Sequence, residues 1–165
     1  MKKLLFVLSL IVVCFGLANL NPKTVSAATY EAKELVSTQV EELSDGSYIV
    51  SELYEYPVNK NARSNYYDKT GQRIVTKYSA SDKVLWVYTL IGYFTVNEGN
   101  FCTCYSCEYT TEINSSSWSF SNGSSHYVGN VAYGEGTFTY KLLLITMQTV
   151  NIDIHVQCDE YGVIS

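Results

Sequence analysis

Histidine is scarce in this 165-residue chain, with only His126 and His155 present. Two imidazoles leave little material for general-base or metal chemistry. No GxSxG, HExxH or glycine-rich phosphate loop occurs, and no D-x-D-x-D-G run that would hold calcium. Glu98, Glu108, Glu112 and Glu135 could supply a carboxylate pair for glycoside hydrolysis, but among 16 acidic residues some pair falls at any spacing, so none is singled out. The sequence names no catalytic residue, no metal ligands and no cofactor. Basic residues are also short, 11 in all, for a formal net charge of −5. Such a chain is repelled by polyanions, which argues against nucleic acid and anionic membrane as partners.

Long apolar runs are absent except at the start. Lys2 and Lys3 precede Leu4–Leu17, and a polar stretch then leads to Val25-Ser26-Ala27-Ala28. This is the pattern of a signal peptide, 1–27, cleaved after Ala27, with Ala28 as the alternative. The apolar run, about 14 residues, is short of the roughly 20 that span a bilayer, so no transmembrane anchor is expected. Cys14 follows Val13 rather than the small residue a lipoprotein site requires. Loss of Lys2, Lys3 and Lys23 leaves 8 basic against 16 acidic residues, a balance of −8. The expectation is a secreted domain of about 138 residues, enough for one core.

Proline occurs only at Pro22 and Pro57, while Tyr, Thr, Ser, Val and Gly are abundant. That composition favours strands. The most β-prone run is Lys83–Val96, with Val84, Trp86, Leu90, Phe94 and Val96 on one face. Leu85, Val87, Ile91 and Tyr93 make its other face nearly as apolar, which predicts a central strand covered on both sides. Upstream, residues 28–36 form a short N-terminal segment, followed by a hairpin of Ser37–Leu43 against Ser47–Tyr56. Helical spacing of Ala32, Leu35, Val36, Val40 and Leu43 competes with this. Pro57–Lys69 reads as an exposed connection and Gln72–Ser79 as a strand. Downstream come Phe101–Ile113, Trp118–Val128, Val131–Lys141 and Gln148–Cys158, with Gly129-Asn130 as a turn and Asn122-Gly123 as a competing one. About seven strands without a long helix indicate an antiparallel β-sandwich over 37–165, with a barrel as the alternative.

Four cysteines remain after the signal: Cys102, Cys104, Cys107 and Cys158. In an exported domain they suggest two disulfides; a four-cysteine zinc site is the rival, and Cys104-x-x-Cys107 has redox-motif spacing without the βαβ context. Cys102 and Cys104 share a face, opposite Cys107, Phe101, Tyr105, Tyr109 and Ile113. Cys158 points to the core side of its strand with Val150, Ile152, Ile154 and Val156. Either Cys102 or Cys104 could meet it, and Cys102, beside the turn, is the expected partner.

Three segments together resemble a group of small exported proteins of Gram-positive bacteria. They are Glu42–Val50, then Lys83–Trp86 with Gly92–Asn97, then Gln148–Val150 leading to Gln157-Cys158 and a turn ending Gly162–Ser165. In that group a cysteine recurs after the organising strand and another near the C-terminus, matching Cys102 and Cys158, while Cys104 is an extra. The resemblance implies an exported β-domain and supplies no activity or functional residue.

Function is hinted at by composition alone. SSSWSFSNGSSHYVGNVAYGEG has the Tyr, Ser, Gly and Asn chemistry of recognition loops, and Trp118, Tyr127 and Tyr133 could line a surface or stack on sugar rings. The same residues also suit a sheet at a water boundary. His155, outward beside Asp153, could join such a surface. The expectation is a non-enzymatic binding domain for an extracellular or cell-wall ligand. An antimicrobial or toxin-like effector is the first alternative, and it would leave Lys141–Met147 exposed and unpaired, whereas a binding domain would bury it. A small hydrolase is the second, and it would place His126 or His155 beside an acid and a Ser, Thr or Cys.

Overall fold

A computed structural model of the chain describes residues 32–58 and 65–165. The expected signal segment, 1–27, lies outside the described residues. Eight strands run in order: β1 Glu34–Glu42, β2 Tyr48–Glu55, β3 Tyr66–Tyr78, β4 Val84–Asn97, β5 Phe101–Ile113, β6 Trp118–Val128, β7 Val131–Leu142 and β8 Ile145–Gln157. They form two antiparallel sheets, a five-stranded β1-β2-β3-β4-β5 and a three-stranded β6-β7-β8, that pack on each other without closing into a barrel. Every sheet neighbour is also a sequence neighbour.

β4 shows why the sheets meet. Trp86, Tyr88, Leu90, Phe94 and Val96 are fully buried at period two, and each such side chain contributes on the order of 2–3 kcal/mol. Trp86 stacks on Phe138 of β7. The Tyr88 hydroxyl crosses to the other sheet, where it donates a bifurcated bond to the carbonyls of Glu135 and Ser124 (3.2 and 3.3 Å). The opposite face of β4 is different. Leu85, Val87, Ile91 and Tyr93 are only half-buried, because no third layer covers them. The expected cover on both sides is corrected to one.

Other expectations shift at the ends of elements. The strands number eight against about seven expected, and β7 and β8 are longer than expected, with Leu142 and Ile145 paired in their hairpin. β1 begins at Glu34, inside the expected segment 28–36, and the described residues of that segment form no helix. β3 begins at Tyr66, inside the expected connection, since Tyr66–Thr70 find partners along the far end of β4, Asn97 to Tyr93. Asn122-Gly123 is a bulge within β6, between Ser121 and Ser124, whereas Gly129 makes the β6–β7 turn with φ 61°.

The mismatch in strand number leaves one side of the sandwich open. β8, the free edge of the small sheet, presses on β3 at Gly71, where an added Cβ would lie 2.6 Å from Val156 and 3.0 Å from Ile164. β1 and β2 extend beyond it. β1 is exposed along its whole length.

Candidate functional site

The four cysteines all pack in or against the core, three from one face of β5 and Cys158 from just beyond β8. A bulge at Tyr105, between Cys104 opposite Phe94 and Ser106 opposite Tyr93, reverses the phase of β5. Cys102, Cys104, Cys107 and Tyr109 therefore all pack against the core, and Phe101 and Tyr105 are exposed. The expected separation of Cys107 from Cys102 and Cys104 is corrected by this one residue. All four are free thiols, so the expected disulfides are not formed. Cys102 and Cys158 lie close enough for each thiol to shift the pKa of the other, while Cys158 Sγ donates to the carbonyl of Asp159 (3.6 Å). Burial pushes every one of these thiols upward, Cys104 to about 11, so the thiolate that attacks another sulfur is disfavoured. Among the described residues no group of three or more His, Cys, Asp or Glu is placed to hold a metal ion.

The aromatic residues singled out in the sequence do not form one surface. Tyr133 and His155 do come together, on the outer face of the small sheet. Tyr133 stacks on His126 with centroids 5.1 Å apart and tilts against His155 at 6.3 Å. No described hydrogen bond joins either imidazole to a carboxylate or hydroxyl. Tyr127, cross-strand from buried Ala132, has the opposite phase and is half-exposed. Trp118 is buried at the other end of β6, edge-on to Trp86.

Trp118 instead walls a pocket of about 300 Å³ with Lys77 and Tyr140. Lys77 is only 1% exposed. Its ammonium donates to Ser47 Oγ (2.9 Å) and sits 5.6 Å from the Trp118 ring centre. Ser47 in turn donates from Oγ and N to Asp45 Oδ1, at 2.5 and 3.0 Å. The Ser47 hydroxyl bond, then its amide, holds the Asp45 carboxyl below its usual range. Desolvation lowers the pKa of Lys77, with Asp45 and Glu41 opposing. The Lys77–Ser47 bond ties β3 to the turn before β2. Nothing in the sequence pattern signals it.

A cleft of about 680 Å³ lies on the open side, between the overhang of β1–β3 and the free edge of β8. Its floor is Ile49 and Val75, and its far wall is Gln148–His155. Arg73 stands at one end and donates from Nε to the carbonyl of His155 (2.7 Å). Its other guanidinium nitrogens bond no described residue, and burial lowers its pKa. The edge itself has a defined register. Gln157 exchanges both backbone bonds with Ser165, at 2.9 Å each, and His155 is taken by Arg73. Strand alternation puts the N–H and C=O groups of Thr149, Asn151 and Asp153 on the same side, facing the cleft. The outer edge of β1 is guarded differently, by a bulge at Val36 and the charges of Glu34, Glu41 and Glu42.

At the β7–β8 turn, Leu142, Leu143, Leu144, Ile145 and Met147 are all exposed. The stretch is exposed, as the effector alternative expects, but it is not unpaired, since Lys141 and Leu142 pair with Thr146 and Ile145. Comparison with protein-family models, curated proteins and solved structures finds no match to the chain. Among the described residues no helix is long and apolar enough to cross a membrane.

Proposed function

We propose that the protein is a secreted, non-enzymatic binding domain that takes an extended strand of an extracellular or cell-wall partner along β8. The observation that carries this reading is the unpaired edge Thr149–Asp153 facing a cleft with an apolar floor. Strand addition satisfies such an edge with main-chain bonds, and alternate side chains of the incoming strand reach Ile49 and Val75. Arg73 offers spare donors to a carboxylate at the end of that strand. Export rests on the basic and apolar pattern of 1–27, and an oxidising exterior would convert the adjacent Cys102 and Cys158 thiols to a disulfide, with two hydrogens passing to a disulfide oxidant.

A phage-displayed library of random peptides, panned on the purified protein, tests the reading. Enriched peptides should slow amide exchange over 148–154 and should fail to bind Asn151→Pro, which lacks the edge N–H yet suits an edge strand. Enrichment of peptides that bind Asn151→Pro equally well would overturn it. The exposed Leu142–Met147 stretch favours a second reading, an effector that attacks another cell's envelope; dye release from vesicles would distinguish it from a binding domain.

A further inference from the structure

Among the described residues, the left-handed positions in turns are held by residues that tolerate them, with one exception. Gly46, Gly99, Gly129 and Gly162 have φ between 61° and 80°, and Asp82 has 59°. At the β7–β8 turn the same region is occupied by Leu143 (φ 49°) and Leu144 (φ 72°). A two-residue hairpin turn of this kind favours Asn-Gly, and a leucine there is strained. The two leucines are also 89% and 97% exposed, and Leu142, Ile145 and Met147 continue the apolar surface down both strands. Backbone strain and solvent exposure are both accepted at one place to keep apolar side chains at a protruding tip.

We propose that this tip inserts into the apolar boundary of a lipid bilayer with zwitterionic headgroups. Successive side chains of a hairpin point to opposite faces, so Leu142 to Ile145 are apolar on every side. A protein groove would have to wrap the tip to cover it, whereas acyl chains surround an inserted object without a preformed shape. The net charge, −5 for the whole chain and −8 without residues 1–27, opposes an anionic surface, so attachment depends on apolar area and is insensitive to salt. The tip lies outside the cleft lining, and this inference stands independently of strand binding at β8.

Co-sedimentation of the protein with phosphatidylcholine vesicles tests it. Wild type should pellet with vesicles at low and high salt. Leu143→Asn/Leu144→Gly restores favoured turn chemistry, so its thermal midpoint should be equal or higher while vesicle partitioning falls at least about tenfold. Asn151→Pro should bind vesicles as wild type does, which keeps failure of the tip apart from failure of the cleft. Independently of variant stability, Leu144→Trp should be quenched by brominated phosphatidylcholine, since Trp86 and Trp118 are buried. No pelleting of wild type, undiminished binding by the double variant, or no quenching would each overturn the proposal. So would a vesicle-independent dimer that the double variant abolishes, because a second copy would then cover the tip.

Discussion

Trp86 and Phe138 stack face to face across the two sheets, with ring centres 3.9 Å apart and planes within 4° of parallel. Both are fully buried, and Trp118 and Phe120 close around them at 6.1 Å from Trp86 and 4.8 Å from Phe138. With no disulfide joining the sheets, this aromatic cluster is their main covalent-free joint. Phe138→Ala should therefore cost about 3–5 kcal/mol, read from the urea midpoint, with the near-ultraviolet signal of Trp86 weakened. A loss below about 1 kcal/mol would show that the sheets are held elsewhere.

Lys77 and Ser47 make an asymmetric pair. Ser47→Ala leaves a buried ammonium without its hydroxyl acceptor and should destabilise the fold by roughly 1–3 kcal/mol. Lys77→Met removes the charge and fills similar volume, so it should be near neutral or stabilising. Combining the two should recover most of the Ser47→Ala loss. A double-mutant cycle with additive effects would contradict the pairing.

Period-two alternation made most of the architecture legible. Val84–Val96 and the inward set Val150, Ile152, Ile154, Val156 and Cys158 fall where the sequence puts them, because one face of each strand meets the core; the Ser37–Tyr56 hairpin forms as well, although its first strand is exposed throughout. Three features stayed hidden for physical reasons. Tyr105 is bulged, and a single extra residue reverses every later side chain of β5, an effect no periodicity announces. Leu143 and Leu144 turn the chain without turn chemistry, so Leu142–Ile145 read as a short apolar run. Arg73 and the β8 edge become a site only because the sheets have unequal numbers of strands, which is a property of pairing and not of any one segment. Trp118, Tyr127 and Tyr133 were picked for residue type, and type alone does not fix which face a strand presents.

Cys102 and Cys158 should be the first pair to close on oxidation, since the two thiols lie close enough to shift each other's pKa. Treatment with oxidised glutathione, followed by alkylation and peptide mapping, should show a loss of about two mass units shared by the peptides carrying these two residues. Their high pKa values predict slow closure that accelerates with pH. Formation of Cys104–Cys107 first would place the reactive pair on β5 alone and contradict the geometry.

Alkaline pH should reveal the buried thiols through stability. Cys104 is fully buried, and desolvation raises it from 9.0 to about 11. The unfolded chain then releases this proton before the native one does, so the native state binds more protons above pH 9. Stability is fully present below the unfolded value and is lost as pH rises through the folded one, amounting to on the order of 3 kcal/mol for this thiol. Cys102, Cys107 and Cys158 shift in the same direction and add to the loss. The unfolding free energy of the reduced protein should thus be level to about pH 8.5 and fall steeply between pH 9 and 11. Cys104→Ala should be less stable at pH 7 and show a shallower fall, because the removed thiol no longer titrates. Closing Cys102 to Cys158 should flatten the curve further by removing both of their protons. A reduced protein whose stability stays level through pH 11 would mean that these thiols meet water, and that the core face of β5 is more open than its packing indicates.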